Sequence, residues 1–264
     1  VSRIVQSDTL WPLLQRYLVN VSNYALRVRA EHVLLRSQPA DTVSAGPFSG
    51  MILPGGGHAK GSKLIPKFSG TYEAELYRPL EEIIQSRPPL FIDVGCAEGF
   101  YAVGMAMRCP QAQVLAYDIE PAAREACKAT AAANGVLERV SIREKCDPET
   151  LLAMNLPGHS VIMSDCEGYE KDLFTPEVVR HLKDCYLMIE IHDLYDPSIS
   201  RTLSDRFKDT HHLKIIRSNH DKSDHARHLV EKGFSRQMID QLTHEREWNM
   251  DWFYLVPVSH GGLS

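Results

Sequence analysis

Residues 89–120 read PLFIDVGCAEGFYAVGMAMRCPQAQVLAYDIE and carry the strongest structural signal in the sequence. An apolar run, Leu90 to Val94, ends in a turn bracketed by Gly95 and Gly99, and apolar residues at helical spacing follow it. A second apolar run ends at Asp118. The pattern therefore predicts a strand, a tight turn, a helix and a second strand, which is the first half of a nucleotide-binding α/β unit.

The spacing within the glycine turn indicates which ligand it suits. Glycines let the backbone approach a ligand closely, and the N–H groups at the start of the following helix point into the same crevice. Asp118 lies 19 residues after Gly99, where a carboxylate can accept hydrogen bonds from ribose hydroxyls. A dinucleotide site would need glycines at 95, 97 and 100, but the chain has Ala97 and Phe100. The spacing excludes the dinucleotide pattern.

The turn instead follows the order acid-x-Gly-x-x-x-Gly, beginning at Asp93. Together with Asp118, this run resembles motifs I and II of class I S-adenosylmethionine (SAM) methyltransferases. The resemblance implies SAM as cofactor and an α/β fold with a doubly wound, seven-stranded, mostly parallel sheet of the Rossmann-like class I methyltransferase type. An acid at the strand tip suits the ammonium and sulfonium groups of SAM better than a pyrophosphate. The alternative is an α/β domain in which the glycine turn is only a turn.

Composition limits the partners of the chain. Its 264 residues, 44% of them hydrophobic, can bury one substantial core with an appendage. With a net charge of −5 the chain has no basic footprint, so we expect no nucleic-acid partner. The six cysteines are spread singly, which predicts reduced thiols in a cytoplasmic protein. We find no apolar run of membrane-spanning length and no signal-peptide layout, so we expect no membrane partner and no secretion.

The predicted domain organisation has two parts. Residues 1–66 are predicted to form an N-terminal helical arm and a glycine-rich linker. Residues 8 to 36 place apolar side chains three and four positions apart, which favours an amphipathic helix or helix pair. That arm is either a lid or dimerisation element, giving a homodimer, or a helix packed on the sheet. Residues 67–264 are predicted to form the methyltransferase domain, with an insertion at 220–249 that covers the substrate site.

Several acids and one histidine follow the predicted strands. The fourth strand ends at Asp165, and the fifth contains Glu190 and is followed by His192. Because an open parallel sheet builds its site at the carboxyl ends of its strands, we expect these three residues to converge. Methyl transfer from a sulfonium is an in-line displacement, and an oxygen acceptor must also lose its proton. A histidine is suited to that task by its ordinary pKa.

Three interpretations of this cluster remain open. In the first, His192 is the general base, Asp165 positions the methyl group or acceptor, and Glu190 orients the histidine or binds substrate hydroxyls. In the second, Asp165, Glu190 and His192 bind a divalent metal such as Mg²⁺, which lowers the pKa of a bound hydroxyl. In the third, the strand-end acids cap the next helix.

Further residues are predicted to contact the cofactor from other elements. Asp147 follows the predicted third strand and is a candidate for the adenine amino group. Glu73 lies where the chain crosses the mouth of the crevice and could meet the SAM ammonium group, although acids near a helix start are also ordinary surface features. The predicted cofactor-binding residues are Glu73, Asp93, Gly95, Cys96, Ala97, Gly99, Asp118, Ile119, Asp147 and Asp165.

Four blocks of sequence narrow the resemblance to one branch of this class. They are SGTYEAEL (69–76), IDVGCAEGFYAVG (92–104), SDCEGYE (164–170) and IEIHD (189–193). Together they resemble the FkbM-type SAM methyltransferases. The resemblance implies O-methylation of a hydroxyl on a small-molecule or saccharide acceptor. By position it implies that Asp93, Gly95 and Gly99 line the SAM site, that Asp118 binds the ribose, and that 165–170 form the methyl end.

The chain also departs from that branch at two places. The small-polar pair that often follows the first glycine is Cys96-Ala97, and Met163-Ser164 stands where a lysine often precedes the fourth-strand acid. These departures weaken the transfer of a substrate from the branch to this chain. An N-methyltransferase of a small molecule and a non-catalytic SAM-binding regulatory protein are the alternative functions.

Overall fold

Seven strands form one sheet in the computed structural model, which describes residues 10–37, 39, 41–54, 64–219, 221–245 and 250–260. The strands are β1 (Leu90–Val94), β2 (Gln113–Tyr117), β3 (Val140–Arg143), β4 (Val161–Ser164), β5 (Tyr186–Ile191), β6 (His211–Ile216) and β7 (Asp251–Pro257). Their order is β3-β2-β1-β4-β5-β7-β6. β7 pairs antiparallel with β5 and β6, and the other pairings are parallel. This is the predicted Rossmann-like class I methyltransferase fold.

Helices connect the strands and extend the chain at its N-terminal side. They are α1 (Leu10–Arg36), α2 (Leu64–Ser69), α3 (Tyr77–Ser86), α4 (Phe100–Arg108), α5 (Pro121–Ala133), α6 (Pro148–Leu152), α7 (Glu170–Leu173), α8 (Pro176–His181), α9 (Ile199–Phe207), α10 (Arg227–Glu231) and α11 (Arg236–Leu242). The crossover between β4 and β5 consists of two short helices, α7 and α8. Pro176 is the first residue of α8, and the Thr175 hydroxyl accepts a hydrogen bond from the Val178 N–H. Thr175 is therefore the N-cap of a new helix.

Both faces of the sheet are buried. On β1, Phe91 belongs to the apolar cluster on one face and Ile92 to the cluster on the other. This follows from the two-residue period of a strand and explains why the buried parallel strands are continuously apolar in sequence. The site-forming ends of β1, β2, β4 and β5 are therefore held by two cores.

The N-terminal arm is one long helix rather than a pair. Near its C-terminal end, Ala30 and Leu34 are fully buried, and α1 packs against α11. Much of the predicted glycine-rich linker, including residues 55–63, lies outside the described residues. Among the helices that the structure describes, none combines the length and apolar character needed to cross a bilayer.

Candidate active site

The turn between β1 and α4 requires both of its glycines. Gly95 and Gly99 have φ angles of +87° and +86°, which side chains other than glycine rarely adopt. A Cβ added to Gly95 would lie 1.8 Å from the backbone oxygen of Asp165, and one added to Gly99 would lie 2.7 Å from Sγ of Cys127. The turn is therefore pressed between the segment that follows β4 and helix α5.

Asp93 fixes the beginning of α4 from below this turn. Its carboxylate is buried, and Oδ2 accepts a hydrogen bond of 2.9 Å from the Ala102 N–H. Burial raises the pKa of Asp93 to about 7, although the Ala102 N–H works in the opposite direction. Asp93 thus carries a proton more readily than an ordinary aspartate.

Asp118 connects the end of β2 to the same turn. Its Oδ2 accepts a hydrogen bond of 2.9 Å from the Ala97 N–H, and its Oδ1 accepts one of 2.9 Å from the Glu120 N–H. The neighbouring Ile119 is 68% exposed, whereas Cys96 is buried. Ala97, Asp118 and Ile119 are thus brought together at the ends of β1 and β2. The Cys96 N–H and carbonyl are bonded within the turn region, to the Tyr117 carbonyl and the Gly99 N–H, so a contact of Cys96 with the cofactor stays a prediction.

Asp147 follows β3 and caps α6. Its Oδ1 accepts hydrogen bonds from the backbone N–H of Thr150 at 2.9 Å and from the Thr150 hydroxyl at 2.6 Å. These bonds lower the pKa of Asp147 below its usual range. One carboxylate oxygen is therefore engaged locally, and the contact with adenine stays a prediction.

The structure brings Asp165, Glu190 and His192 together at the ends of β4 and β5. One ligand atom from each lies within 4.8 Å of the others. Nε2 of His192 lies 3.4 Å from Oδ1 of Asp165, 3.4 Å from Oε2 of Glu190 and 3.5 Å from Oε2 of Glu167. His192 and Glu190 are buried. One imidazole nitrogen therefore faces three carboxylate oxygens.

A fourth carboxylate, that of Glu170, binds the other nitrogen of the His192 ring. The sequence did not predict this contact. Glu170 begins α7, is fully buried, and accepts a hydrogen bond from Nδ1–H of His192. Its Oε1 also accepts a 3.1 Å bond from the Gly168 N–H. The sequence suggested Glu190 as the residue that orients the histidine. At Nδ1 the orienting residue is Glu170. The SDCEGYE block contains Glu170, but nothing in its spacing indicates the histidine as partner.

The charges in this cluster favour bound protons. Burial alone would lower the pKa of His192, but hydrogen bonds to Glu170 and Glu190 and the charge of Asp165 outweigh it and raise that pKa to about 10. Burial and the charge of Glu190 raise the pKa of Asp165 well above its usual range. Because Asp165 and His192 each affect the pKa of the other, the protonation of one depends on that of the other.

Glu73 is a buried residue rather than an ordinary helix-start acid. It has a left-handed backbone, with φ 45° and ψ 45°, at the entry to the short 3₁₀ helix Ala74–Leu76. Its carboxylate accepts a hydrogen bond from the Tyr101 hydroxyl of α4, and its charge raises the pKa of Asp165. Glu73 therefore lies beside the strand-end cluster, held by the helix that follows the glycine turn.

The segment 221–245 is tied to Glu73 by a buried ionic network. Oε1 of Glu245 accepts a 2.9 Å hydrogen bond from the Glu73 N–H. Lys222 forms an ion pair with Glu75 and lies 3.6 Å from Oε2 of Glu245. Glu245 is thus a buried network residue. Arg246 and Trp248, which follow it, lie outside the described residues, and Trp252 is buried in β7.

Exposed side chains form a rim around the cluster. The Tyr195 ring stacks on the His192 ring with a centroid separation of 5.8 Å and an interplanar angle of 18°. Its hydroxyl donates a 3.2 Å hydrogen bond to Oε2 of Glu167. Tyr195 and its neighbour Leu194 are largely exposed. An apolar and aromatic surface is therefore open to solvent directly beside the buried histidine.

Comparisons with known proteins give only distant similarities. No protein-family model matches the sequence, and no curated protein matches it. The cofactor-bound protein Rv0187 from MTB is 13% identical over 67% of this chain and 76% of its own, with a TM-score of 0.48. A precorrin-6y C5,15-methyltransferase from Geobacter metallireducens is 13% identical over 54% and 75%, with a TM-score of 0.42. A methyltransferase from Geobacter sulfurreducens is 13% identical over 68% and 77%, with a TM-score of 0.41. At these scores no function is transferred from them.

Proposed function

We propose that this protein is a SAM-dependent methyltransferase that methylates a hydroxyl group of a small molecule or saccharide. One observation carries the proposal. The Asp165 backbone carbonyl packs against Gly95, closely enough that no Cβ fits between them, while the Asp165 side chain belongs to the cluster with Glu190 and His192. The turn predicted to bind the cofactor is thus in direct contact with an acid–base cluster.

The charge of the surrounding residues suits SAM. The acids near the turn are Glu73, Asp93, Asp118 and Asp165, and three of them are held by backbone or hydroxyl donors. In their ionised form these acids attract a ligand with an ammonium and a sulfonium group and repel a pyrophosphate, and a bound cation in turn favours that form. Asp118 and the exposed Ile119 are suitably placed for the ribose and for an apolar contact with the adenine.

The proposed reaction needs one proton acceptor beside the acceptor hydroxyl. The hydroxyl oxygen attacks the methyl carbon, the carbon–sulfur bond breaks, and S-adenosylhomocysteine leaves. The hydroxyl proton passes to the Asp165–Glu190–His192 cluster. Because the pKa of His192 is raised to about 10, Nε2 receives the proton in the neutral form of the ring, which alkaline pH favours, while Nδ1 is held by Glu170. Asp165, nearest the turn, positions the acceptor, and Glu190 completes the cluster beside it.

A metal-assisted form of this reaction is the second candidate, and the donor set fits it. Two carboxylates and one imidazole offer ligand atoms within 4.8 Å, and Oδ1 of Asp165 is buried without a hydrogen-bond partner among the described residues. Such donors suit a divalent ion such as Mg²⁺ or Mn²⁺. When bound, the ion would lower the pKa of the acceptor hydroxyl.

Other parts of the proposal follow from the surroundings of the site. The segment 221–245 is anchored to Glu73 and Glu75, and these contacts support the expectation that it covers a bound substrate. The four sequence blocks that resemble FkbM-type enzymes support a hydroxyl as the acceptor. All six cysteines are free thiols, which agrees with a cytoplasmic location.

The test combines binding with turnover. Calorimetry should show that SAM and S-adenosylhomocysteine bind, and transfer of labelled methyl from SAM should occur to members of a hydroxyl library. Loss of transfer with retained SAM binding in His192→Ala would support the cluster as proton acceptor, and unchanged transfer would remove His192 from the mechanism. Loss of transfer in EDTA with recovery in Mg²⁺ or Mn²⁺ would select the metal-assisted form. Transfer only to amines would select the N-methyltransferase, and binding without any transfer a regulatory protein.

A further inference from the structure

Helix α1 carries apolar residues on two sides, and the described residues bury it only near its C-terminal end. Ala30 and Leu34 are fully buried on the face that packs with α11. Val21 lies nine residues from Ala30 in sequence, which is about two and a half helical turns, and therefore points to the opposite side. On that side Val21 is 48% exposed. A helix that is apolar on both sides needs a second contact to bury the free one.

The exposed face has the spacing of a coiled-coil seam. Leu14, Tyr17, Val21, Tyr24 and Val28 follow one another at alternating intervals of three and four residues, which is the heptad pattern of paired helices. We call these five residues the α1 seam. Tyr17, Tyr24 and Val28 are 64%, 67% and 46% exposed. Such a regular strip indicates a helix as its partner rather than an irregular surface.

We propose that the α1 seam binds the α1 seam of a second copy of this chain and forms a two-fold symmetric homodimer. The same residues then contact one another across the axis, as a self-complementary interface requires. This inference does not depend on the proposed methyl transfer, because the seam lies on the face of α1 turned away from the catalytic domain.

The size of the strip is consistent with a dimer. A fully covered tyrosine buries about 150–250 Å², so the two seam tyrosines, about two-thirds exposed, offer roughly 200–300 Å². The half-exposed Val21 and Val28, with the flanking Leu13 and Leu18, bring each copy towards the roughly 600 Å² per partner at the lower end of stable interfaces.

The charge of the helix argues against a lipid surface as the occupant. Helices that lie in a membrane interface are rich in Lys and Arg on their polar face. From residue 10 to residue 26 the one charged residue is Arg16, and the polar residues beside the seam include Gln15, Asn20 and Asn23. At the C-terminal end of the seam, Arg27 and Arg29 flank Val28, and Arg27 pairs with Glu31 of the same helix. Most of the seam thus has neutral polar flanks, which suit a protein partner better than an anionic membrane.

Sedimentation velocity over a range of protein concentrations tests the proposal. The wild-type chain should dimerise reversibly, and Val21→Asp combined with Tyr24→Asp should raise the dimer dissociation constant at least about 100-fold, because it places carboxylates in an apolar contact. Ser22→Asp, on the same helix turn but outside the seam, is the matched control and should leave the constant unchanged. Far-ultraviolet circular dichroism and urea denaturation establish that each variant is folded.

Three results would overturn the inference. The first is a wild-type chain that stays monomeric at the highest concentration reached. The second is a dimer that the double aspartate variant does not weaken although it remains folded. The third is a monomer that co-sediments with phosphatidylcholine or phosphatidylserine vesicles and loses this binding in the double variant, which would assign the seam to a membrane surface.

Discussion

The carboxylate of Glu170 accepts a hydrogen bond from Nδ1–H of His192, across 22 positions of sequence and in a fully buried setting. The bond leaves Nε2 facing Asp165, Glu167 and Glu190. A histidine held in this way has one fixed ring orientation. The pair therefore acts as a unit at the end of β5.

Replacing Glu170 should impair turnover without preventing cofactor binding. Glu170→Ala removes the acceptor for Nδ1–H, so the ring can rotate and its raised pKa should fall, and we expect methyl transfer to fall about 10–100-fold. Glu170→Gln keeps an acceptor oxygen and should lose less. Long-range ¹H–¹⁵N correlation of the imidazole nitrogens, followed over pH, would report the protonation of both ring nitrogens directly. The matched control is Glu177→Gln, an exposed glutamate in α8, which should behave as wild type. An unchanged titration of His192 and normal turnover in Glu170→Ala would contradict the positioning role.

Gly95 should tolerate no side chain. In Gly95→Ala the new Cβ would lie 1.8 Å from the Asp165 oxygen, in a backbone conformation with φ +87°. Strain and displacement together should lower the free energy of unfolding by at least about 3 kcal/mol and abolish SAM binding. Gly135→Ala is the matched control, because its φ is +67° but nothing lies within 4 Å of the new Cβ. It should cost only about 1–2 kcal/mol in backbone strain. Urea denaturation and calorimetry with SAM measure both effects, and equal losses in the two variants would show that packing against Asp165 is unimportant.

Asp93 should make the stability of the protein depend on pH in the acid-to-neutral range. Its pKa is raised from 3.8 to about 7 in the folded chain, so the folded state holds a proton that the unfolded state has released. This contribution is present below about pH 4 and is lost as the pH rises through about 7, by up to about 4 kcal/mol. Asp93→Asn keeps an oxygen for the Ala102 N–H and removes the titration. The difference in unfolding free energy between wild type and variant should therefore change across this range, and a constant difference would contradict the raised pKa.

Local patterns were sufficient to predict the sheet and the position of the site, because both depend on short segments. The run LFIDV is apolar on both faces, as a strand buried between two helical layers must be, and it was correctly assigned as β1. Position 95 needs glycine because its backbone has a positive φ angle. Asp165, Glu190 and His192 meet because parallel strands end at the same edge of the sheet.

Contacts between distant segments could not be predicted in the same way. The Glu73 N–H meets the Glu245 carboxylate across 172 positions, and Lys222 meets Glu75 across 147. From the sequence alone, each of these charged residues is expected to lie on the solvated surface, because charged residues are rarely buried unless they are paired. Only the folded chain supplies the partner. The same reasoning applies to Glu170, whose partner His192 lies on another element.

Substitution of Lys222 should lower the stability of the protein strongly, because this lysine is buried together with its two acidic partners. Lys222→Met leaves Glu75 and Glu245 without their cation, and we expect the free energy of unfolding to fall by about 3–5 kcal/mol. Lys171→Met is the matched control: its ion pair with Asp196 is partly exposed, so the loss should stay within about 1 kcal/mol. Combining Lys222→Met with Glu75→Gln removes one uncompensated charge and should recover part of the stability, as measured by urea denaturation. Equal, small losses for Lys222→Met and Lys171→Met would mean that the network contributes little. If Lys222→Met also weakens SAM binding and the double variant recovers both stability and SAM binding, the network acts by holding the Glu73 segment against the site.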